Sequence, residues 1–514
     1  MKNTITKLLA LVLTFALCFS FAGCFAQQPS GDNGGNGGGT GGGTGGGGNT
    51  GVKLSTDVYE GDVIYVGNTA GTTGALATIG APFNLGINAA FAEFNAAGGF
   101  NGKTVALKTY NDEGVATNSV SLLDKLIFED EVFAIVGHFG SYAVDATLET
   151  LKEEAVPMIY AAAGNESLFN DNATSDSDRA IFPVQPLNKT EGRSLILRAF
   201  APAIAGGLGA TKVGVIADSN EASQALLAGI KAEAKESGLT NIVYQEVTDG
   251  DPTAAINALK DAGCDTVIVT VIGAAWTTAV SKMVDAGCTW KVLTSYNNAN
   301  AAVFNTESYT TQVGGVDYVV KYMNSTYTQA LQTMQIYAQG WINIVDVNGA
   351  FVPELAYKYT GALLPFYQAL GSAAQAEDGS YYMTGFTEAY WKVAEAIYGY
   401  AFANGYDMAT AFAMSYDSYA LAGYIAGNLF CQALAEMQAQ NKELTRANLV
   451  QILESKEYQI AMANTISYAN NARVGVDAFA LTMFFNSSGA AASTSITAGV
   501  SSIEELRATL TPAQ

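Results

Sequence analysis

The chain has 514 residues, 49% of them apolar, and a formal charge of −22 from 47 acidic and 25 basic side chains. So acidic a surface repels phosphate backbones, and nucleic acid is not an expected partner. A single histidine, His138, cannot build a multi-histidine metal site, and the Gly-rich residues 34–48 lack the strand and helix that flank a Walker-type phosphate loop, so neither a metal nor a cofactor is expected.

The first segment reads as an export signal. Lys2 and Lys7 form a basic start, and Leu8 to Ala22 is apolar except for Thr14 and Ser20, too short a run to span a bilayer comfortably. It ends Phe21-Ala22-Gly23-Cys24, which resembles a bacterial lipobox. That resemblance implies a signal peptide over 1–23 and a membrane anchor through a lipid thioether on Cys24. An ordinary secretory peptide with an incidental Cys24 is the alternative, and Cys18, preceded by bulky Leu17, is the weaker rival. Gln27 to Gly51 is mostly Gly with Asn, Thr and Ser, a composition that buries no core and behaves as flexible coil, so 24–58 is expected to be a tether.

Beyond the tether about 460 residues remain, enough for two or three domains. Strand and helix patterns then alternate. Val63 to Val66 is a short β-branched strand, and a helix from about Pro82 to Ala97 places Phe83, Ile87, Ala90, Phe91 and Phe94 at helical spacing before Gly98-Gly99 stops it. Strands are expected at 105–110, 132–136 and 156–160, with helices at 117–130 and 143–154 between them. A second set follows: strands 212–217, 241–247, 265–271 and 291–295, separated by helices 221–237, 253–262 and 275–286. Such alternation predicts two α/β lobes, each a parallel sheet covered by helices on both faces, with ligands outside the carboxyl ends of the strands. Cys264 and Cys288 each close an Asp-Ala-Gly-Cys turn before a strand and read as small buried residues, with a bridge between them as the alternative. Ser418 to Ala435 carries no charge but is interrupted by Tyr, Gly, Asn and Gln, and reads as a buried lobe helix rather than a membrane span.

Several motifs then occur in one order: FAEFNAAGGFNGK at 91–103, Tyr110-Asn111-Asp112, FAIVGHFGS at 133–141, Val156-Pro157-Met158-Ile159, and Tyr416-Asp417-Ser418-Tyr419-Ala420. As a set they resemble the type I solute-binding proteins of ABC transporters, in the branched-chain amino-acid-binding branch. The resemblance covers 60 to about 320 and resumes at Tyr416. It implies a Venus-flytrap architecture of two lobes joined by three hinge crossovers, closing on a ligand and then docking on ABC permease subunits. Lobe 1 is expected over 59–182 and about 317–455, with an insertion over about 324–384. Lobe 2 is expected over 183–316 and about 456–514. The insertion reads as helices packed on lobe 1, or else as a lid or partner surface. A monomer is the default.

The resemblance also places a ligand site residue by residue. Ser141, with Tyr142 beside it, matches the loop that holds a ligand carboxylate, although Ser141 could instead cap a helix starting near Ala143. His138 is expected to pack nearby. Ala163 and Gly164 match the loop that offers a carbonyl and a hydroxyl to the ligand's ammonium, but Gly164 has no hydroxyl. The acidic partner of that ammonium falls at Tyr296 or Asn297, and two aromatic positions fall at Ile79 and Ile272. An ammonium without a counter-charge costs several kcal/mol to bury, so an amide, carboxylate, aromatic or peptide-like ligand fits as well as an amino acid. No catalytic residues are expected: paired carboxylates such as Asp112 and Glu113 point opposite ways in an extended segment. A transporter receptor is the first reading, a ligand sensor on the same fold the second, and a surface enzyme the last.

Overall fold

The computed structural model describes residues 52–313, 316–344, 373–375, 381–383, 387–497 and 499–510. The expected signal and residues 24–51 of the expected tether, Cys24 included, lie outside them. The last residues of that tether, 52–58, are described: Leu54 is buried in one core with Ile64 and Phe133, and Ser55 O accepts from the Ala447 amide at 2.9 Å, so the folded part begins earlier than expected.

The first lobe is a five-stranded sheet, all parallel, in the order β2-β1-β3-β4-β5. Its strands are β1 (Val63–Ala70), β2 (Thr104–Asn111), β3 (Ala134–Phe139), β4 (Met158–Ala162) and β5 (Ile181–Phe182). Helix α1 (Ala77–Ala96) follows β1, α2 (Ala116–Asp124) follows β2 and α3 (Ser141–Glu153) follows β3. α1 begins five residues before the expected start at Pro82, which it carries in its interior. The helix expected over 117–130 is regular only to Asp124 and finishes as a π-turn over Lys125–Glu129. Both faces of the sheet are covered, which is why β3 and β4 read as unbroken apolar runs. Phe83, Ile87 and Phe91 of α1 fill one side, and Leu123, Val144, Leu148 and Leu151 the other.

The second lobe repeats the plan. α4 (Asn188–Phe200) leads to β6 (Val213–Ala217), α5 (Glu221–Glu236), β7 (Ile242–Glu246), α6 (Thr253–Asp261), β8 (Thr266–Val269), α7 (Ala274–Asp285) and β9 (Lys291–Thr294). A hairpin of β10 (Glu307–Val313) and β11 (Val316–Tyr322) precedes α8 (Ser325–Thr333) and β12 (Gln335–Gly340). Strand β12 adds in parallel beside β9, so the sheet runs β7-β6-β8-β9-β12 before antiparallel β15 (Ala478–Ser487) and β16 (Ala490–Ser495) complete it. Cys264 and Cys288 are both buried and unbridged, and burial pushes the Cys288 thiol up to about 11.

This topology moves the expected lobe boundaries. Residues 317–340 belong to lobe 2, because β12 pairs with β9 and Ala330 of α8 shares a core with Trp276 and Met283. The expected insertion therefore cannot start at 324, and most of its remainder, 345–372, lies outside the described residues. The chain is back in lobe 1 by α9 (Glu388–Ala403), followed by α10 (Met408–Ser415), α11 (Ser418–Ala439) and α12 (Arg446–Leu453). The hairpin of β13 (Glu457–Gln459) and β14 (Thr465–Ser467) stays there too, since Tyr458, Ile466 and Tyr468 join the lobe 1 core. The expected switch at 456 is thus delayed to about 469–477. α11 is the uncharged run, packed along α1 so closely that a Cβ on Gly423 would stand 1.8 Å from the Phe83 carbonyl oxygen. Among the described residues no helix is long and apolar enough to cross a membrane.

Among the described residues three segments join the lobes: 183–187, 341–344 and 469–477. The first and third run together, with the Val476 amide donating to Val184 O at 2.8 Å and the Tyr468 hydroxyl to Pro183 O at 2.9 Å.

Candidate functional site

The loops after β4 in one lobe and after β8 and β9 in the other hold the expected ligand residues except Ser141 and Tyr142, which open α3 directly after β3, and Ile79, which lies in the first turn of α1. Ser141 is the first residue of α3, not a residue ahead of it: the helix starts two residues before the expected Ala143. Its cap is Gly140, at a φ of 95° that favours glycine, and no side chain closes the helix end. The capping role considered for Ser141 is therefore not the one it plays. Its hydroxyl is half-buried and has no hydrogen-bond partner among the described residues. An open helix N-terminus with a free hydroxyl is a ready anion seat.

Tyr142 is turned aside. Its ring covers Gly140 and its hydroxyl donates to Asp112 Oδ1 at 2.8 Å; burial, and then the Asp112 charge and this bond, raise its pKa well above the ordinary phenol value. Asp112 is buried and also accepts from Ser119 Oγ at 2.9 Å, whereas Glu113 is exposed. His138 packs as expected: fully buried, it pairs Nε2 with Thr147 Oγ1 at 2.9 Å, and burial holds its pKa down to about 4.

Ala163 and Gly164 are both buried. Next to Gly164 lies Asn188, whose amide donates to the Gly164 carbonyl at 3.0 Å. Asn165 is buried as well, with its Nδ2 3.5 Å from Ser141 O and its Oδ1 unpartnered among the described residues. Ile79 packs half-buried against the lobe 1 core, and Ile272 is half-buried just before Gly273, the residue that caps α7.

Of the two positions expected to face the ligand from lobe 2, Tyr296 is sealed inside. It is 1% exposed and its hydroxyl donates to Pro186 O at 2.8 Å, so its side chain is spent on holding the crossover. Asn297 stays half-buried at the surface of the loop and reaches Asn188 Oδ1 with its Nδ2 at 3.3 Å.

Sequence reasoning missed Asn188 and Glu191, both in the first turn of α4. Glu191 is fully buried, accepts from Ser295 Oγ at 2.5 Å and from the Tyr296 amide at 2.7 Å, and burial pushes its carboxyl up to about 8. The signal was a glutamate four residues into a helix beside a crossover, which in sequence looks like any solvated helix start. Also missed was a bend in the sheet itself. Gly137 of β3 and Tyr160 of β4 occupy the same register, between the pairs Val136–Ile159 and His138–Ala161, and both adopt left-handed backbone. For Tyr160 that conformation costs about 1–2 kcal/mol. Away from the crossovers, the lobes touch where the Glu166 amide donates to Glu221 Oε1 at 3.1 Å, and Lys189 Nζ meets Glu166 Oε1 at 3.1 Å.

Two doubly wound lobes on a triple hinge, with the carboxyl ends of both sheets meeting across it, define a two-lobed solute-binding protein. Residues 63–340, more than half of the chain, match the profile of the Periplasmic binding protein family, and the chain belongs to that family. It is similar to an amino acid binding protein of Pseudomonas aeruginosa, at 25% identity over 40% of this chain and 52% of that protein. It is also similar to Leu/Ile/Val-binding protein homolog 2 of Brucella abortus, at 29% identity over 40% of this chain and 53% of that one. The chain thus spans about half the length of these curated relatives. A solved structure of a fatty acid ABC transporter substrate-binding protein from Thermomonospora curvata shares the fold, with a TM-score of 0.55 and 15% identity over 89% of this chain and 97% of that one.

Proposed function

We propose that this protein is an exported, lipid-anchored receptor of an ABC transporter. It captures a small carboxylate-bearing solute between its lobes and delivers it to a permease. The observation that carries the ligand reading is the N-terminus of α3, where the Ser141 hydroxyl and the Ser141 and Tyr142 amides have no protein acceptor among the described residues, while the Ala143 and Val144 amides turn back to the Gly140 carbonyl. Such a seat is favourable for an anion and needs no chemistry from its neighbours. Membership of a family of solute-binding proteins supports capture rather than turnover. The lipobox-like Phe21-Ala22-Gly23-Cys24 and the Gly-rich stretch after it support tethering to the outer face of the cytoplasmic membrane. Closure would follow from ligand contacts made only with the lobes together.

The test is calorimetric titration of the full chain with amino acids, their oxo and hydroxy analogues, amides, fatty acids, nucleosides and short peptides. A carboxylate should bind, and Ser141→Ala should weaken it roughly 10- to 100-fold, as loss of a hydrogen bond to a charged group predicts. Undiminished binding by that variant would remove the carboxylate from Ser141.

A further inference from the structure

Carboxamides stand beside Ser141 and opposite it, from both lobes. A Cβ on Gly164 would lie 2.8 Å from Asn188 Oδ1 and 3.2 Å from its Nδ2, so the Asn188 carboxamide occupies the space that a side chain at 164 would fill. The missing hydroxyl is therefore not a hole: a residue 24 positions along the chain has taken its place. Asn188 is held from both lobes, by its amide to Gly164 O and by its Oδ1 to Asn297 Nδ2. Asn297 Nδ2 lies also 3.1 Å from Ser295 Oγ. On the lobe 1 side the buried Asn165 adds a third carboxamide, with its Oδ1 unpartnered among the described residues.

Among the described residues, the carboxylates near this surface are already engaged, and Asp218, directly after β6, accepts from the Asn220 amide at 3.1 Å. Glu191 is sealed under the Ser295–Tyr296 loop with a bond to each oxygen, and burial pushes its carboxyl up to about 8. Asp112 serves Tyr142 and Ser119. Glu166 is paired with Lys189, Glu221 accepts from the Glu166 amide, and Asp145 accepts from Ser167. A ligand ammonium would leave water for a set of neutral dipoles, and an unpaired buried cation is penalised heavily. A carbonyl, hydroxyl or amide loses far less and can exchange hydrogen bonds with carboxamides directly.

We infer that the cleft selects a small carboxylate whose second polar group is uncharged, such as a 2-oxo or 2-hydroxy acid or an amide, over the corresponding amino acid, through Asn165, Asn188 and Asn297. This rests on the reading that Ser141 and α3 hold a carboxylate.

The experiment compares matched sets by calorimetry on the full chain at pH 7. The sets are alanine, pyruvate and lactate; leucine, 4-methyl-2-oxopentanoate and 2-hydroxy-4-methylpentanoate; and phenylalanine, phenylpyruvate and phenyllactate. In the set whose side chain fits, the oxo or hydroxy acid should bind at least tenfold more tightly than the amino acid. Asn297→Asp, at the half-buried loop surface, and Asn188→Asp should each narrow that preference tenfold or reverse it, by supplying the absent charge. An amino acid that binds as tightly as its analogues in the wild-type chain overturns the inference while leaving the carboxylate seat intact. If no member of any set binds, the carboxylate reading itself falls and takes this one with it.

Discussion

At residue scale the site turns on single groups whose surroundings, rather than identities, set their role. Glu191 shows this most directly. Its carboxyl, ordinarily near 4.5, is pushed up to about 8 by burial despite two hydrogen bonds. Between those values the folded chain keeps a proton that the unfolded chain has lost, so stability must fall as pH rises through that window. His138 acts in the opposite sense: held down to about 4, it costs stability as pH falls below its ordinary 6.5 and is silent above it. The interval from pH 6.5 to 8 therefore isolates Glu191. Urea unfolding should show the wild type losing about 2 kcal/mol across that interval, at 1.36 kcal/mol per pH unit. Glu191→Gln, which mimics the protonated carboxyl, should flatten the slope. An identical slope in both proteins would mean that Glu191 is ionised when folded. Residue identity alone foretold part of this. That Gly164 lacks a hydroxyl was legible, and so was a packed His138. That Asn188 fills the gap was not, because a crossover, not local sequence, brings it there.

At element scale the alternation of strand and helix was legible because both lobes bury their sheets on two faces, giving apolar runs of strand length between amphipathic helices. What escaped were features decided by tertiary contact. The strand Gln335–Gly340 lies in a stretch with no sequence cue linking it to lobe 2, yet it pairs with Lys291–Thr294. The start of α3 moved to Ser141 because Gly140 takes the capping turn. The uncharged run from Ser418 was readable as a buried helix, but its partner was not. α11 lies against α1, where Gly423 meets the Phe83 carbonyl and Gly86 the Ala420 carbonyl, backbone against backbone. Neither carbonyl can swing away as a side chain would. Gly423→Ala should therefore cost about 3 kcal/mol or more, at the upper end for overpacking, measured as a lowered urea midpoint with an unchanged slope. A loss below about 1 kcal/mol would show that the two helices can slide apart freely.

At the scale of the whole molecule, the proposed capture of a solute requires two arrangements of the same lobes. The first and third crossovers are tied to one another. Beyond them, Glu166 at the rim of lobe 1 is gripped from the other side by Glu221 and Lys189. Glu221 pays a cost there, for burial foremost and also Asp145 and Glu166 raise its pKa, while its bond to the Glu166 amide opposes them. A contact both favourable and repulsive can be tuned in either direction. Glu221→Ala removes the acceptor, and at roughly 1 kcal/mol for one hydrogen bond should weaken ligand binding about fivefold by depopulating the closed form. Glu221→Gln keeps an acceptor oxygen and removes the like-charge repulsion, so affinity should hold or rise. Small-angle scattering of each variant without ligand separates this from a local defect: the alanine variant should have the larger radius of gyration, the glutamine variant the smaller. If both variants match the wild type in affinity and radius, the rim contact is incidental, and closure is governed by the crossovers and by the ligand alone.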